Sequence, residues 1–189
     1  RSMILPAILF VPPLATSLAS AQPPTSTPAP SKTERSCHLP GVVEALRCVT
    51  VDVPLDHAKP QSGTLKLHVT VAPAYRQGTR GDPLFVLAGG PGQAGSDVLP
   101  LLKLAFDRVR ATRDIVFIDQ RGTGLSGKLD CESKPEHERM TDDELMAELR
   151  ACIANNKQPQ AAYTTAAAAR DLEQVRGALG FRQVNLWGG

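Results

Sequence analysis

Two stretches decide the fold: Leu84-Phe85-Val86-Leu87-Ala88-Gly89-Gly90-Pro91-Gly92-Gln93-Ala94-Gly95, and Ile115-Val116-Phe117-Ile118-Asp119-Gln120-Arg121-Gly122-Thr123-Gly124-Leu125-Ser126. Each is a short, unbroken apolar run that stops at a glycine-rich turn. A run without polar alternation reads as a strand covered on both faces, the mark of a parallel sheet between helices. The apolar spacing between them predicts a helix over Val98 to Arg110. Strand, turn, helix and strand in that order make an α/β unit.

Working outward, Val49–Pro54 is β-branched and reads as a strand, and Leu65–Val71 alternates as a half-buried strand should. Gln61-Ser62-Gly63 supplies the turn of an antiparallel hairpin between them. Downstream, Asp142–Asn155 has a helical pattern. Thr164 or Thr165 can cap a further helix, which carries Ala168, Leu172, Val175 and Leu179 on one face and stops at Gly180. Gln183–Trp187 reads as a final short strand running into Gly188-Gly189. The predicted order is β-β-β-α-β-α-α-β, about five strands of a mostly parallel sheet.

The turn after Leu87 admits three readings. Gly90-Pro91-Gly92-Gln93-Ala94-Gly95 matches the G-x-G-x-x-G of dinucleotide sites, with Asp119 at the end of the next strand. Pro91, however, removes an N–H from that cradle, and two strands already precede the loop. Alternatively, the loop is an oxyanion hole, where amides meet developing negative charge. The third reading is a tight turn without chemistry. In the second loop, Asp119 and Arg121 have two readings, binding of substrate and, the favoured one, fixing of the loop by hydrogen bonds and an ion pair.

Gly89-Gly90-Pro91-Gly92, followed by Asp119-Gln120-Arg121-Gly122-x-Gly124-x-Ser126, resembles the proline iminopeptidase and tripeptidyl aminopeptidase family of α/β-hydrolases. Val53-Pro54-Leu55-Asp56-His57 and Asp171-Leu172-Glu173-x-Val175-Arg176 resemble its exported branch. The likeness covers nearly all of Cys37 to Gly189; one departure is Ala88, where many relatives have histidine. It implies the N-terminal portion of an α/β-hydrolase fold and a serine hydrolase that cleaves peptide bonds near the N-terminus. An esterase or epoxide hydrolase is the nearest alternative, and an inert truncated product or binding module is the alternative of another class. No cofactor or metal is implied, and the partner is a peptide or a small amide or ester.

The resemblance also implies a nucleophile elbow, G-x-S-x-G, after the last strand. Asn185-Leu186-Trp187-Gly188-Gly189 matches its approach and first two residues, so the serine is expected one position further on. Ser96 and Ser126 lack elbow spacing. The family's chain order is serine, acid, histidine, so His38, His57, His68 and His137 come too early for a general base. The oxyanion donor is placed at the Gly90 N–H, with Gly89 the second choice. This stretch alone is therefore expected to be inactive, and an unpaired last strand is expected to make it aggregate.

The flanks set the compartment. Residues 1–21 join a cation, a short apolar run and Ala19-Ser20-Ala21, which reads as a secretory signal rather than a stable membrane anchor. A linker rich in proline, serine and threonine is placed over 22–35, and the hydrolase portion over 36–189. Four cysteines in an exported chain suggest disulfides; proximity favours Cys37–Cys48 and Cys131–Cys152 over a metal site, which lacks C-x-x-C spacing. The expected location is periplasmic or extracellular. A net charge of +2 and 4% aromatic residues give no footprint for nucleic acid.

Overall fold

Apolar residues on both faces of the central strands build two cores, one on each side of a single sheet. The computed structural model describes residues 31–76, 81–90, 92–131, 134–156 and 158–189, without the side chains of 102 and 103. The leader expected over 1–21, the linker over 22–30 and Pro91 lie outside the described residues.

Six strands form the sheet: β1 (Lys32–Cys37), β2 (Leu46–Pro54), β3 (Thr64–Ala72), β4 (Leu84–Leu87), β5 (Ile115–Ile118) and β6 (Asn185–Gly188). Their spatial order is β1-β2-β3-β5-β4-β6. The first three are antiparallel neighbours, and β3 meets β5 antiparallel with Val69 opposite Ile118. β5, β4 and β6 are parallel, so their C-terminal ends share one edge. Three longer helices accompany them: α1 (Val98–Arg110), α2 (Asp142–Asn155) and α3 (Thr165–Ala178).

Successive residues of β5 explain its unbroken apolar run. Ile115 and Phe117 join Val86, Leu99 and Phe106 on the α1 side; Val116 and Ile118 join Phe85, Val51 and Val175 on the α3 side. Both faces are dry, so neither can carry polar residues. This sheet, with helices on both faces and glycine loops at the C-terminal edge of β4 and β5, is an α/β-hydrolase fold over this stretch.

Three expectations change. β1 occupies residues at the end of the expected linker: all of its side chains except Cys37 are exposed, so it shows no apolar alternation and reads like coil. Pairing with β2 and the Cys37–Cys48 disulfide hold it. β3 is half-buried only at its start; from His68 to Ala72 every residue is buried, because the Ser126 loop covers the polar face. β6 begins at Asn185 rather than Gln183. The second disulfide, Cys131–Cys152, is present with Cα atoms 6.0 Å apart. Among the described residues, no helix is long and apolar enough to cross a membrane.

Candidate functional site

The loops after β4 and β5 and the N-terminus of α3 enclose a cleft of about 420 Å³. Gly90 has φ = 129°, a left-handed conformation that favours glycine. There the chain folds so tightly that the amide nitrogens of Gly92 and Gln93 lie 3.0 and 3.1 Å from where a Cβ on Gly90 would stand. Gln93 N–H donates to the Gly89 carbonyl (3.4 Å), and Gln120 Nε2 donates to the Ala88 carbonyl (3.3 Å). Among the described residues, neither the Gly89 nor the Gly90 amide donates a hydrogen bond, so both N–H groups are available.

The β4–β6 register brings the last glycines to this loop. Leu87 pairs with Gly188, and a Cβ on Gly89 would overlap the Gly189 carbonyl. The glycine turn and the end of β6 therefore stand side by side.

Asp119 joins the two loops. It is fully buried; its Oδ1 accepts from Ser96 N–H (2.9 Å) in the first loop and its Oδ2 from Leu125 N–H (3.0 Å) in the second. Gly124, at φ = 47°, permits this, since a Cβ there would overlap Asp119 Oδ2. Ser126 is buried too, with Oγ accepting from His68 N–H (2.8 Å). The His68 ring meets Thr70 Oγ1 at 3.2 Å. Burial lowers its pKa and Arg35 adds to the shift, while Asp119 opposes it.

Arg121 points away from the cleft into a buried network. Its Nε and Nη2 donate to the two carboxylate oxygens of Asp171, both at 2.7 Å. Nη1 donates to the carbonyls of Leu55 (2.9 Å) and Ala162 (2.6 Å), and Nη2 also donates to that of Pro54 (3.2 Å). All five guanidinium donors are thus engaged. His57 Nε2 meets Asp171 Oδ1 at 2.8 Å. The segments around His57, Arg121 and Asp171, which carry the family resemblance, converge here. The ion-pair partner Asp171 and the role of His57 escaped the sequence reading. A signal existed: Asp171 lies on the apolar stripe of α3, three residues after Ala168 and four before Val175, where a solvated acid would not sit.

The other sequence candidates stay apart. His38 is exposed, and His137 faces Glu148 at 3.3 Å. Among the described residues, no serine side chain meets a histidine ring, and no group of three His, Cys, Asp or Glu side chains is arranged to hold a metal.

No family model matches the chain. Carboxylesterase B of Mycobacterium tuberculosis is 33% identical over 128 residues, covering 62% of this chain and 24% of that protein. The chain thus spans about a quarter of the length of the curated relatives it matches. Among solved structures, proline iminopeptidase of Mycobacterium smegmatis aligns at 21% identity and TM-score 0.43, over 74% of this chain and 34% of that one. A proline iminopeptidase-related protein of Thermus thermophilus aligns at 22% identity and TM-score 0.41, over 74% and 35%.

Proposed function

We propose that this chain supplies the oxyanion side of a serine hydrolase active site, in an exported aminopeptidase that cleaves peptide bonds near the substrate's N-terminus. The β4–β6 register carries the reading: it sets the Gly188-Gly189 backbone against a glycine loop in which the Gly89 and Gly90 amides have no partner among the described residues. A serine one position beyond Gly189 would attack a carbonyl lying in the cleft. The Gly90 N–H, or else that of Gly89, would meet the oxyanion that forms. A histidine and an acid beyond this stretch would shuttle the proton and orient the base. One such amide is worth about 10²–10³ in rate. Asp119 and Arg121 hold the loops that present it. The two disulfides support an oxidising, exported setting.

One observation favours a second reading, an esterase. The described side chains at the cleft mouth, Gln93, Gln120, Thr123, Tyr163 and Thr165, are all neutral, and the Arg121 guanidinium is turned inward. An aminopeptidase must bind a substrate ammonium, and no carboxylate for it lines this part of the cleft. Relatives named carboxylesterase B point the same way.

Treatment of the full-length protein with a fluorophosphonate, then peptide mapping, tests the proposal. The expected label falls on the residue after Gly189. Label on another residue overturns this placement of the nucleophile; no label, with no turnover, overturns the hydrolase reading and leaves the inert product. Turnover of aminoacyl p-nitroanilides supports the peptidase; turnover of p-nitrophenyl esters alone supports the esterase.

A further inference from the structure

Between β5 and α3 the chain runs from Asp119 to Thr164, whereas such connections are commonly about 2–6 residues long. This excursion carries α2, and α2 buries none of its residues: Met146 and Ile153 are 47% and 50% exposed. Leu145 and Leu149 are only half-buried, so apolar packing holds it weakly. Its ties among the described residues include the Cys131–Cys152 disulfide, the contacts of Lys134 (2.7 Å) and His137 (3.3 Å) with Glu148, and a hydrogen bond from Gln160 Nε2 to the Ile153 carbonyl (2.9 Å).

Both feet of the excursion stand on one turn. Leu129 N–H donates to the Gly122 carbonyl (2.9 Å), and the Leu129 side chain packs over Gly122. At the other foot the Tyr163 ring covers the same glycine, and Arg121 holds the Ala162 carbonyl. Tyr163 OH donates to Gln158 Oε1 (3.3 Å), so the hydroxyl is turned to the excursion. Tyr163 also lines the cleft that Gly90 borders, together with Thr164 and Thr165.

We propose that Tyr163 is a specificity-determining residue: its ring is the wall on which an apolar substituent beside the scissile carbonyl packs, and the disulfide-tied excursion sets that wall's position. This rests on the hydrolase reading above. The ring is suited to the task because its edges are fixed by Gly122 and Gln158, so little rotamer freedom is lost when substrate arrives. A bulky apolar group gains from the contact and a methyl group does not. The wall therefore acts on discrimination between substrates rather than on attack at the carbonyl.

The test uses the full-length protein and its Tyr163→Ala, Tyr163→Phe and Tyr163→Leu variants. Each is assayed with p-nitrophenyl acyl esters and aminoacyl p-nitroanilides whose substituents range from methyl to benzyl. Tyr163→Ala is expected to lower the bulky-to-small ratio of kcat/KM by about tenfold or more, through KM, in the range one apolar contact can supply. Tyr163→Phe keeps the ring and should restore the ratio to within about threefold of wild type, with Tyr163→Leu between the two. Stoichiometric labelling by a small fluorophosphonate, whatever its rate, reports an intact centre in each variant. A Cys131→Ser/Cys152→Ser protein is expected to lower the ratio in the same direction; an unchanged ratio overturns the tether. If all substrates fall in proportion in Tyr163→Ala, the wall is overturned while the hydrolase stands. If wild type is neither labelled nor active, the hydrolase reading itself has failed.

Discussion

Replacing Asp171 by asparagine should destabilise the protein by about 3 kcal/mol, although the side chain keeps its size. Asp171 is 2% exposed, and its two oxygens receive Nε and Nη2 of Arg121 at 2.7 Å and His57 Nε2 at 2.8 Å. Asparagine offers one acceptor and one amino group. If its oxygen keeps Nη2 and His57, its amino group faces the Nε–H of Arg121, donor against donor. If it flips, the amino group faces the Nη2–H of Arg121 instead, and His57 keeps its contact only by changing tautomer. Either way the guanidinium stays buried with no counter-charge, and breaking such a pair costs about 3–5 kcal/mol. Arg121 retains the carbonyls of Leu55, Ala162 and Pro54, which places asparagine at the low end and alanine higher. Set against a typical total of about 5–15 kcal/mol, the loss is large. Urea unfolding of the full-length protein, followed by far-UV circular dichroism, measures it from the midpoint at constant slope. Glu173→Gln is the control on the same helix: its ion pair with Arg176 is solvent-exposed and should be worth under about 1 kcal/mol. An Arg121→Leu/Asp171→Leu protein should lose less than the sum of the two single changes, yet not recover, since three carbonyls are left unpaired. If Asp171→Asn stays within about 1 kcal/mol of wild type, the buried pair is not what fixes these segments.

Gly124→Ala should cost at least about 2 kcal/mol and most of the activity, because it combines a left-handed backbone with overlap onto Asp119 Oδ2; a melting curve and an ester assay read both effects. Gly95→Ala should lower the melting temperature and slow fluorophosphonate labelling, since a Cβ there would overlap the Ile118 backbone and push the glycine loop after β4 off β5. The lowered pKa of His68 has a definite sign. Below about pH 6.5, its ordinary value, the unfolded chain takes up a proton that the fold refuses, so stability falls as pH drops from 6.5 toward the folded value. A His68→Gln protein should lack this acid-side loss in unfolding free energy measured from pH 7 to 5, and an unchanged pH profile would count against it.

The parts of the fold legible in the sequence are those whose burial leaves a periodic trace. β4 and β5 were readable because both faces are covered, and α3 because Thr164 accepts a hydrogen bond from Ala167 N–H at its start and Gly180 takes φ = 76° after its end. β1 was not, because a solvated edge strand that buries only its last residue, Cys37, leaves no alternation and is defined by its partner. Likewise, the alternation of Leu65–Val71 describes the strand's own pattern but not the loop that later covers His68 and Thr70.

The candidate site divides along the same line. The glycine loop was visible because a tight turn near a strand end restricts residue type locally, and Gly90 carries that restriction in its own φ. Asp119 was visible through its local half alone: it accepts from Leu125 N–H six residues on, within its own glycine turn, whereas its bond to Ser96 N–H spans 23 residues and leaves no local trace. The Arg121–Asp171–His57 cluster joins positions 50 and 114 residues apart, and no local spacing encodes a contact at that range. It leaves a different trace, a charge at a position where the periodicity demands an apolar side chain. In a helix packed on a sheet, such a charge must have a buried partner, since an isolated one would cost several kcal/mol. Asp171 on the stripe of α3 thus points to a buried cation, and the nearest arginine at a strand's C-terminal edge is Arg121. Polar residues that break an apolar pattern carry the long-range information that the pattern itself lacks.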